Sequence, residues 1–350
     1  MSGGVKTANG SGLGIDRVAE PQGALPQAAE RLDPGPPARD GELEIAVERL
    51  CLDSTSHRNL RERCGADPGA MAERIMAIVA GRGKMHNPET DSGGILVGRA
   101  GPAGPGHPAA PEPGTRIATL GSLTMTPLRL GAVTELDPDS PQVGVEGTAY
   151  VFGRASWAEV PDDLPLEAAL DVFDVCAAAA QLRELIPANG TVLVLGAGHA
   201  GKLAMAAARD LMRDGTVVAA DVDPEAIELV RRLGLCDIGV VADLRDPVAA
   251  LAAIEAAGVT PAQLTVVVVN ADRCEATAIL LTAERGTVLF FSMATSFGAA
   301  ALAADGTGSD VRMRIGSGHA PDRGAYALEL VRGSAALREA LGVPAREAAA

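Results

Sequence analysis

The chain has 350 residues, 47% of them hydrophobic and 21% charged, and a formal net charge of −15. That composition describes a globular chain long enough for two ordinary domains, and no apolar run reaches membrane-spanning length. The acidic balance and the scarcity of aromatic residues argue against a nucleic-acid or anionic-membrane partner, which would need a basic face or stacking platforms.

Residues 1–14, rich in Gly and Ser, read as a flexible tail without an apolar signal-peptide core. The five cysteines (Cys51, Cys64, Cys176, Cys236, Cys274) form no CxxC pair, so free thiols in a cytoplasmic protein are expected. Glu42 to Leu50 alternates polar and apolar residues like a half-buried strand. GGILVGRAG and TRIATLGSL look like further short strands. Between them, Pro68 to Ala80 carries a helical apolar face of Met71, Ile75, Ile78 and Val79. Pro and Gly punctuate 101–114 and 138–147, as short strands with tight turns require. Residues 15–160 are therefore expected to form a small β-barrel or sandwich. A Pro-rich turn at Pro161–Pro165 marks the domain join, and a helix follows over Leu166–Leu185.

From residue 161 to 341 the expectation is an α/β domain, with a short tail over 342–350. Candidate strands are Thr191–Leu195, Thr216–Ala220, Ile238–Val241, Leu264–Val269, Thr287–Phe291 and Val311–Ile315. Helical segments such as Pro224–Leu233, Pro247–Ala257 and Glu275–Arg285 alternate with them. The strands are continuous Val/Leu/Ile runs, as a parallel sheet covered on both faces demands. Six such units make a doubly wound dinucleotide-binding (Rossmann) domain.

The stretch TVLVLGAGHAGK within that domain carries the chemistry. Gly196 permits the strand-to-helix turn, Gly198 lets backbone approach a pyrophosphate, and Gly201 lets helix pack close to strand. Ala197, His199 and Ala200 complete the loop, with His199 expected to offer phosphate its backbone alone. Asp221 ends the next strand, where a carboxylate can accept both hydroxyls of an adenosine ribose and repel a 2′-phosphate. NAD is the expected cofactor. Asn270–Ala271 and Ser292–Met293 follow the fourth and fifth strands, at the carboxyl ends where ligands lie in open α/β sheets. Asn270 is expected to orient the nicotinamide ribose, and backbone near Met293 to hold the carboxamide.

A β-rich domain followed by a six-stranded nucleotide domain is similar to the medium-chain, alcohol-dehydrogenase-like superfamily. GELEIAVERL resembles its opening strands, SWAEVPDDLPLEAAL its entry to the nucleotide domain and VRMRIGSG its last strand. The resemblance implies a GroES-like barrel for the first domain. Two segments, RVAEPQGALPQAAERLD and GRGKMHNPETDSGGILVG, resemble the L-erythro-3,5-diaminohexanoate dehydrogenase family of lysine fermentation. That family transfers hydride from an amine-bearing carbon to NAD and releases ammonia and a β-keto amino acid. The implied partner is a small diamino acid, docked in a cleft between the domains. Relatives also pair sheets into homodimers, here expected at the FFSMATSF edge, Phe290–Phe297. Rival readings are a zinc-free reductase or alcohol dehydrogenase of another small substrate, a methyltransferase and an NADH-sensing regulator.

Zinc members of the superfamily use a cysteine after the second strand and a His–Glu pair later. Asp53 stands at the cysteine position and Thr90–Asp91 at the pair, so no metal is expected, although a carboxylate-plus-His86 site stays open. An amine needs only its neutral form, because the nitrogen lone pair then expels the hydride. Asp53 and Asp91 are expected to hold the ammonium, with Glu146 a weaker third carboxylate. Asp53 has an alternative role, capping the helix that starts at DSTSHRNL. His86, in a loop-like KMHNP stretch, suits proton relay or simply bonds backbone. Lys84 reads as a substrate-carboxylate ligand, a base of depressed pKa or a surface lysine, and an unspecified arginine is the alternative ligand for the substrate carboxylate.

Overall fold

The structure, a computed structural model, describes residues 12–316, 320 and 322–344. The expected tails therefore fall mostly outside the described residues. The chain divides into two compact units, Met1–Leu170 and Asp171–Ala350.

The first unit runs in the order β1 (Val18–Glu20), β2 (Arg31–Leu32), β3 (Glu42–Leu52), α1 (Ser54–Arg63), α2 (Pro68–Arg82), β4 (Gly94–Ala103), β5 (Arg116–Thr119), β6 (Leu128–Leu136), β7 (Gln142–Phe152) and β8 (Trp157–Glu159). Strands β1 and β2 pair with each other, and the rest form one antiparallel sheet in the order β6-β7-β3-β4-β5-β8. Register shifts between Val47 and Arg49, and twice within β6, bend those strands and strengthen their twist. The shift in β3 also ends its polar–apolar alternation, so Leu50, Cys51 and Leu52 are buried in succession. The sheet shares one core with α2, whose Met71, Ile75, Ile78 and Val79 pack among Leu43, Leu96 and Val143. Helix α2 stops at Gly83, which takes φ 64; a Cβ there would meet the Leu32 carbonyl oxygen at 2.0 Å.

The segment before β3 is fastened by a buried cation. Arg17, fully buried, donates Nε and Nη2 to the two Glu42 oxygens at 2.8 and 2.6 Å, and its guanidinium lies 4.1 Å from the Tyr150 ring centroid. Such a charge tolerates burial only when paired and hydrogen-bonded, so this contact fixes one docking of the segment.

Helix α3 (Leu166–Leu182) leads into β9 (Thr191–Leu195), α4 (His199–Leu211), β10 (Thr216–Asp221), α5 (Pro224–Arg232), β11 (Ile238–Val241), α6 (Pro247–Ala256), β12 (Ala262–Val267), α7 (Glu275–Leu280), β13 (Thr282–Phe290), α8 (Phe297–Thr307), β14 (Arg312–Ile315), α9 (Arg323–Gly333) and α10 (Ala335–Ala340). The six strands pair in parallel in the order β11-β10-β9-β12-β13-β14. Strand order reverses between β9 and β12, which is the switch point where open α/β sheets bind nucleotides.

Two expectations are corrected. The helix expected over Glu275–Arg285 ends at Leu280, because Thr282 already pairs with Ala262 and Arg285 takes φ 62, outside helical space. The chain bulges there, so Leu264 next faces Thr287. FFSMATSF is also not a sheet edge: Phe290 is buried in β13, which lies between β12 and β14. The edge on that side is β14, with Met313 and Ile315 exposed.

Candidate active site

In the second unit, the turn from β9 to α4 is sterically specified. Gly196 adopts φ 114, and a Cβ on it would lie 2.8 Å from the Val269 nitrogen. A Cβ on Gly201 would sit 1.9 Å from the Gly196 carbonyl oxygen. Gly198 differs: a Cβ there would meet nothing within 4 Å, so open space borders the backbone at this point. Gly198 is also the N-cap of α4, and no side chain caps the helix. The first-turn amides of a 13-residue helix are thus left to another acceptor, the arrangement that binds phosphate. His199 opens the helix and Ala200 follows it.

Asp221 closes β10 and is held from two sides. Its Oδ2 accepts the Ala197 N–H at 2.7 Å and its Oδ1 accepts the Asp223 N–H at 3.0 Å. Each carboxylate oxygen keeps a second lone pair, so the orientation is fixed while acceptor capacity remains. Val222 and Val241, beside Asp221 in sequence and in register, are exposed. Asn270 and Ala271 follow β12, and Ser292 and Met293 follow β13. Met293 is 83% exposed, and Ser292 Oγ accepts the Ala294 N–H at 3.2 Å. An uncapped helix start, a carboxylate at a strand end and backbone groups beyond two further strands are the kinds of group a dinucleotide uses in open α/β sheets.

In the first unit, polar residues gather where β3 meets α1 and where the chain re-enters β4. Asp53 is the N-cap of α1: its Oδ1 accepts the Thr55 and Ser56 N–H groups at 3.0 and 2.9 Å. The same oxygen accepts the Ser92 hydroxyl at 2.9 Å. Ser56, Thr90 and Ser92 then close a ring of hydroxyls, with separations of 3.2, 2.9 and 2.9 Å. Capping uses one oxygen only. Asp53 Oδ2 is buried and has no partner.

The loop from Asn87 to Ser92 is closed by the Asn87–Ser92 bridge, and Asp91 takes φ 54, a conformation aspartate accepts more readily than most residues. Asp91 Oδ1 lies 2.9 Å from His86 Nε2. A carboxylate only accepts, so Nε2 carries the imidazole proton and Nδ1 the lone pair. That Nδ1 is buried without a partner. Burial first, then the nearby Lys84 charge, hold the His86 pKa below its ordinary value, against the opposing pull of Asp91.

Lys84 is not at the surface. It is fully buried, and Nζ donates to the carbonyls of Pro26 and Gln27 at 2.8 and 3.2 Å. Burial and the Arg82 charge push its pKa down to about 8. Its ammonium thus fastens the segment between β1 and β2 to the loop that carries His86. Glu146 stands exposed on β7 and has no bond to these groups. Asp53 and Asp91 belong to separate hydrogen-bond systems, one running through Ser92 and the other through His86. Among the described residues no three His, Cys, Asp or Glu side chains converge on one point. Sequence reasoning missed Ser56, Ser92 and Arg82; the hydroxyl-rich DSTS and ETDS stretches were the available signal for the first two.

Residues 16–161 match the family described as the L-erythro-3,5-diaminohexanoate dehydrogenase N-terminal domain. The chain is 36% identical over 335 residues to the L-erythro-3,5-diaminohexanoate dehydrogenase of Fusobacterium nucleatum, covering 94% of this chain and 97% of that one. It is 34% identical over 336 residues to the enzyme of the same name from Acetoanaerobium sticklandii, again covering 94% and 97%. Among solved structures, an alcohol dehydrogenase of Escherichia coli complexed with NADH superposes with a TM-score of 0.55 at 15% identity, over 85% of this chain and 82% of that one. At that identity the likeness speaks to the fold, a barrel-like first domain and a Rossmann second domain. Among the described residues no helix is long and apolar enough to cross a membrane. The chain belongs to the L-erythro-3,5-diaminohexanoate dehydrogenase family.

Proposed function

We propose that this chain oxidises L-erythro-3,5-diaminohexanoate with NAD to 5-amino-3-oxohexanoate and ammonia, as a step of lysine fermentation. The observation that carries this reading is a pair of buried acceptors without donors, Asp53 Oδ2 and His86 Nδ1. Unpaired buried acceptors are costly, and each retains the capacity to take an N–H from a ligand. An ammonium offers three such donors, whereas a substrate hydroxyl offers one.

NAD when bound supplies the hydride acceptor, and the uncapped α4, the open space at Gly198 and Asp221 are the features that fit it. Asp221 favours NAD, because a 2′-phosphate would face its carboxylate. The exposed Val222 and Val241 suit an adenine ring. Asn270, Ala271, Ser292 and Met293 are assigned to the nicotinamide half.

On the substrate side, Asp53 Oδ2 and the exposed Asp91 carboxylate hold the ammonium on C3. The neutral His86 imidazole takes one ammonium proton at Nδ1, and Asp91 stabilises the resulting imidazolium. The freed lone pair forms the C=N bond as hydride leaves C3. Water adds to the iminium carbon, ammonium departs, and the ketone remains. Exposed apolar residues at β14 (Met313, Ile315) and on α8 (Phe297, Leu302) support pairing of two copies, which sedimentation at twice the chain mass would establish.

The test follows NADH and ammonia together, with diaminohexanoate, secondary alcohols and NADP as comparators, with and without chelator. One ammonia per NADH and a preference for the diamino acid are expected. NADH formed from alcohols without ammonia would overturn the reading.

A further inference from the structure

One cation beside His86 has no anion. Arg82 ends α2 and is half-buried; its Nη1 donates to the His86 carbonyl at 2.9 Å and its Nε to the Glu30 carbonyl at 3.3 Å. A guanidinium carries five N–H donors, so Nη2 keeps both of its own. Several other arginines of this unit find carboxylates: Arg49 has Glu135, Arg61 has Asp139, and Arg63 and Arg74 share Glu89. Among the described residues no carboxylate lies within ion-pair distance of Arg82. Its neighbours increase the imbalance. Lys84 is buried on backbone carbonyls, and Asp91 is the one carboxylate acting on both Lys84 and His86. In a chain of net charge −15, Arg82 and Lys84 stand beside a single exposed carboxylate, Asp91, and the neutral His86 adds no charge, so one positive charge is left over. A bound anion would balance it.

We propose that Arg82 binds the carboxylate of the substrate and so sets the preference for amino acids over plain amines. This rests on the diamino-acid reading above. Lys84 is excluded from the role because its ammonium is fully buried and already donates twice. In a β-amino acid the carboxylate and the reacting amine are attached one carbon apart. Their binding groups must therefore lie close together and keep a constant spacing. Arg82 meets that need through the backbone, since its guanidinium holds the carbonyl of the residue whose imidazole takes the proton. Arg–carboxylate bonds are charge-assisted and directional, which lets one residue both attract and orient the substrate.

The experiment compares wild type, Arg82→Gln and Arg82→Lys on 3,5-diaminohexanoate and on 2,4-diaminopentane, the same diamine without its carboxylate. Arg82→Gln should raise KM for the diamino acid by roughly a hundredfold, the loss expected when a charged hydrogen-bond partner is removed. On the diamine, where only the hold on the His86 carbonyl is lost, turnover or inhibition should change by less than about tenfold, and Arg82→Lys should recover part of the loss on the diamino acid. Equal loss on both compounds would mean that Arg82 only holds the loop, and the proposal falls. Calorimetric titration of diaminohexanoate reads the contact without turnover. If wild type binds that compound tenfold or more tightly than Arg82→Gln but never oxidises it, the function fails and the Arg82 contact stands. Equal binding to both proteins sinks the contact alone.

Discussion

His86 Nε2 and Asp91 Oδ1 lie 2.9 Å apart, yet the imidazole is 9% exposed and the carboxylate 88%. The pair therefore spans from interior to solvent: the ring is kept neutral by burial while its proton-bearing nitrogen reaches an anion in water. Burial and Lys84 outweigh Asp91, so the His86 pKa lies below 6.5 and the base is ready at neutral pH. For a base that must be unprotonated, log kcat/KM should rise with unit slope at acid pH and level off below pH 6.5. His86→Ala should lower kcat by roughly 10²–10⁴, the range for loss of a positioned proton acceptor, and should erase that limb. A variant with wild-type kcat, or an unchanged acid limb, would remove His86 from proton transfer.

Asp53 has two separable duties, because its oxygens do different things. Oδ1 caps α1 and takes the Ser92 hydroxyl, whereas Oδ2 is buried and unpaired. Asp53→Asn keeps a capping oxygen but loses the charge. It should leave stability to urea within about 0.5 kcal/mol and raise KM for the diamino acid, with NAD affinity unchanged. Asp53→Ala should lose both the cap, worth about 1 kcal/mol, and the affinity. Full activity in Asp53→Asn would leave capping as the residue's sole duty.

Legibility in the sequence followed the range of the contacts. The glycine turn from β9 to α4 was readable because Gly196, Gly198, Gly201 and the strand before them lie within eleven residues, and their constraints are local sterics. The α2 face was readable for the same reason: Met71, Ile75, Ile78 and Val79 mark one stripe and all are buried. The Asp53–Ser92 bond spans 39 residues and depends on how β3 pairs with β4, which no local period reveals. The sequence left a surface position open for Lys84 because the carbonyls that bury it come from residues 57 and 58 positions earlier. Glu284 and Arg285 suit a helix, and only the pairing of Thr282 with Ala262 overrides that preference.

The glycines of the turn divide by what a methyl group would strike. At Gly201 a Cβ overlaps the Gly196 carbonyl, so Gly201→Ala should destabilise the second unit by several kcal/mol, visible as a lowered urea midpoint. At Gly198 φ is −70 and no atom lies within 4 Å of a Cβ, so Gly198→Ala should fold with stability within about 1 kcal/mol of wild type. The added methyl nevertheless occupies the space assigned to the pyrophosphate, and NAD should bind at least tenfold more weakly by fluorescence titration. Unchanged NAD affinity in a folded Gly198→Ala protein would place the diphosphate elsewhere.

Lys84 gives the chain a pH-dependent stability of unusual sign. Its pKa is about 8 when folded, against 10.5 as its ordinary value. Between those limits the unfolded chain binds more protons than the folded one, so this residue makes stability rise with pH from about 8 to 10.5. The full rise amounts to at most about 3 kcal/mol. Lys84→Met removes the titration but also leaves the Pro26 and Gln27 carbonyls without their donor, so its stability at one pH is not diagnostic. The difference between the two proteins is. Urea unfolding at pH 7, 8.5 and 9.5 should show wild type gaining on Lys84→Met at each step. Parallel curves would mean that the buried ammonium carries no desolvation penalty, and the segment between β1 and β2 would then have to open easily enough to hydrate it.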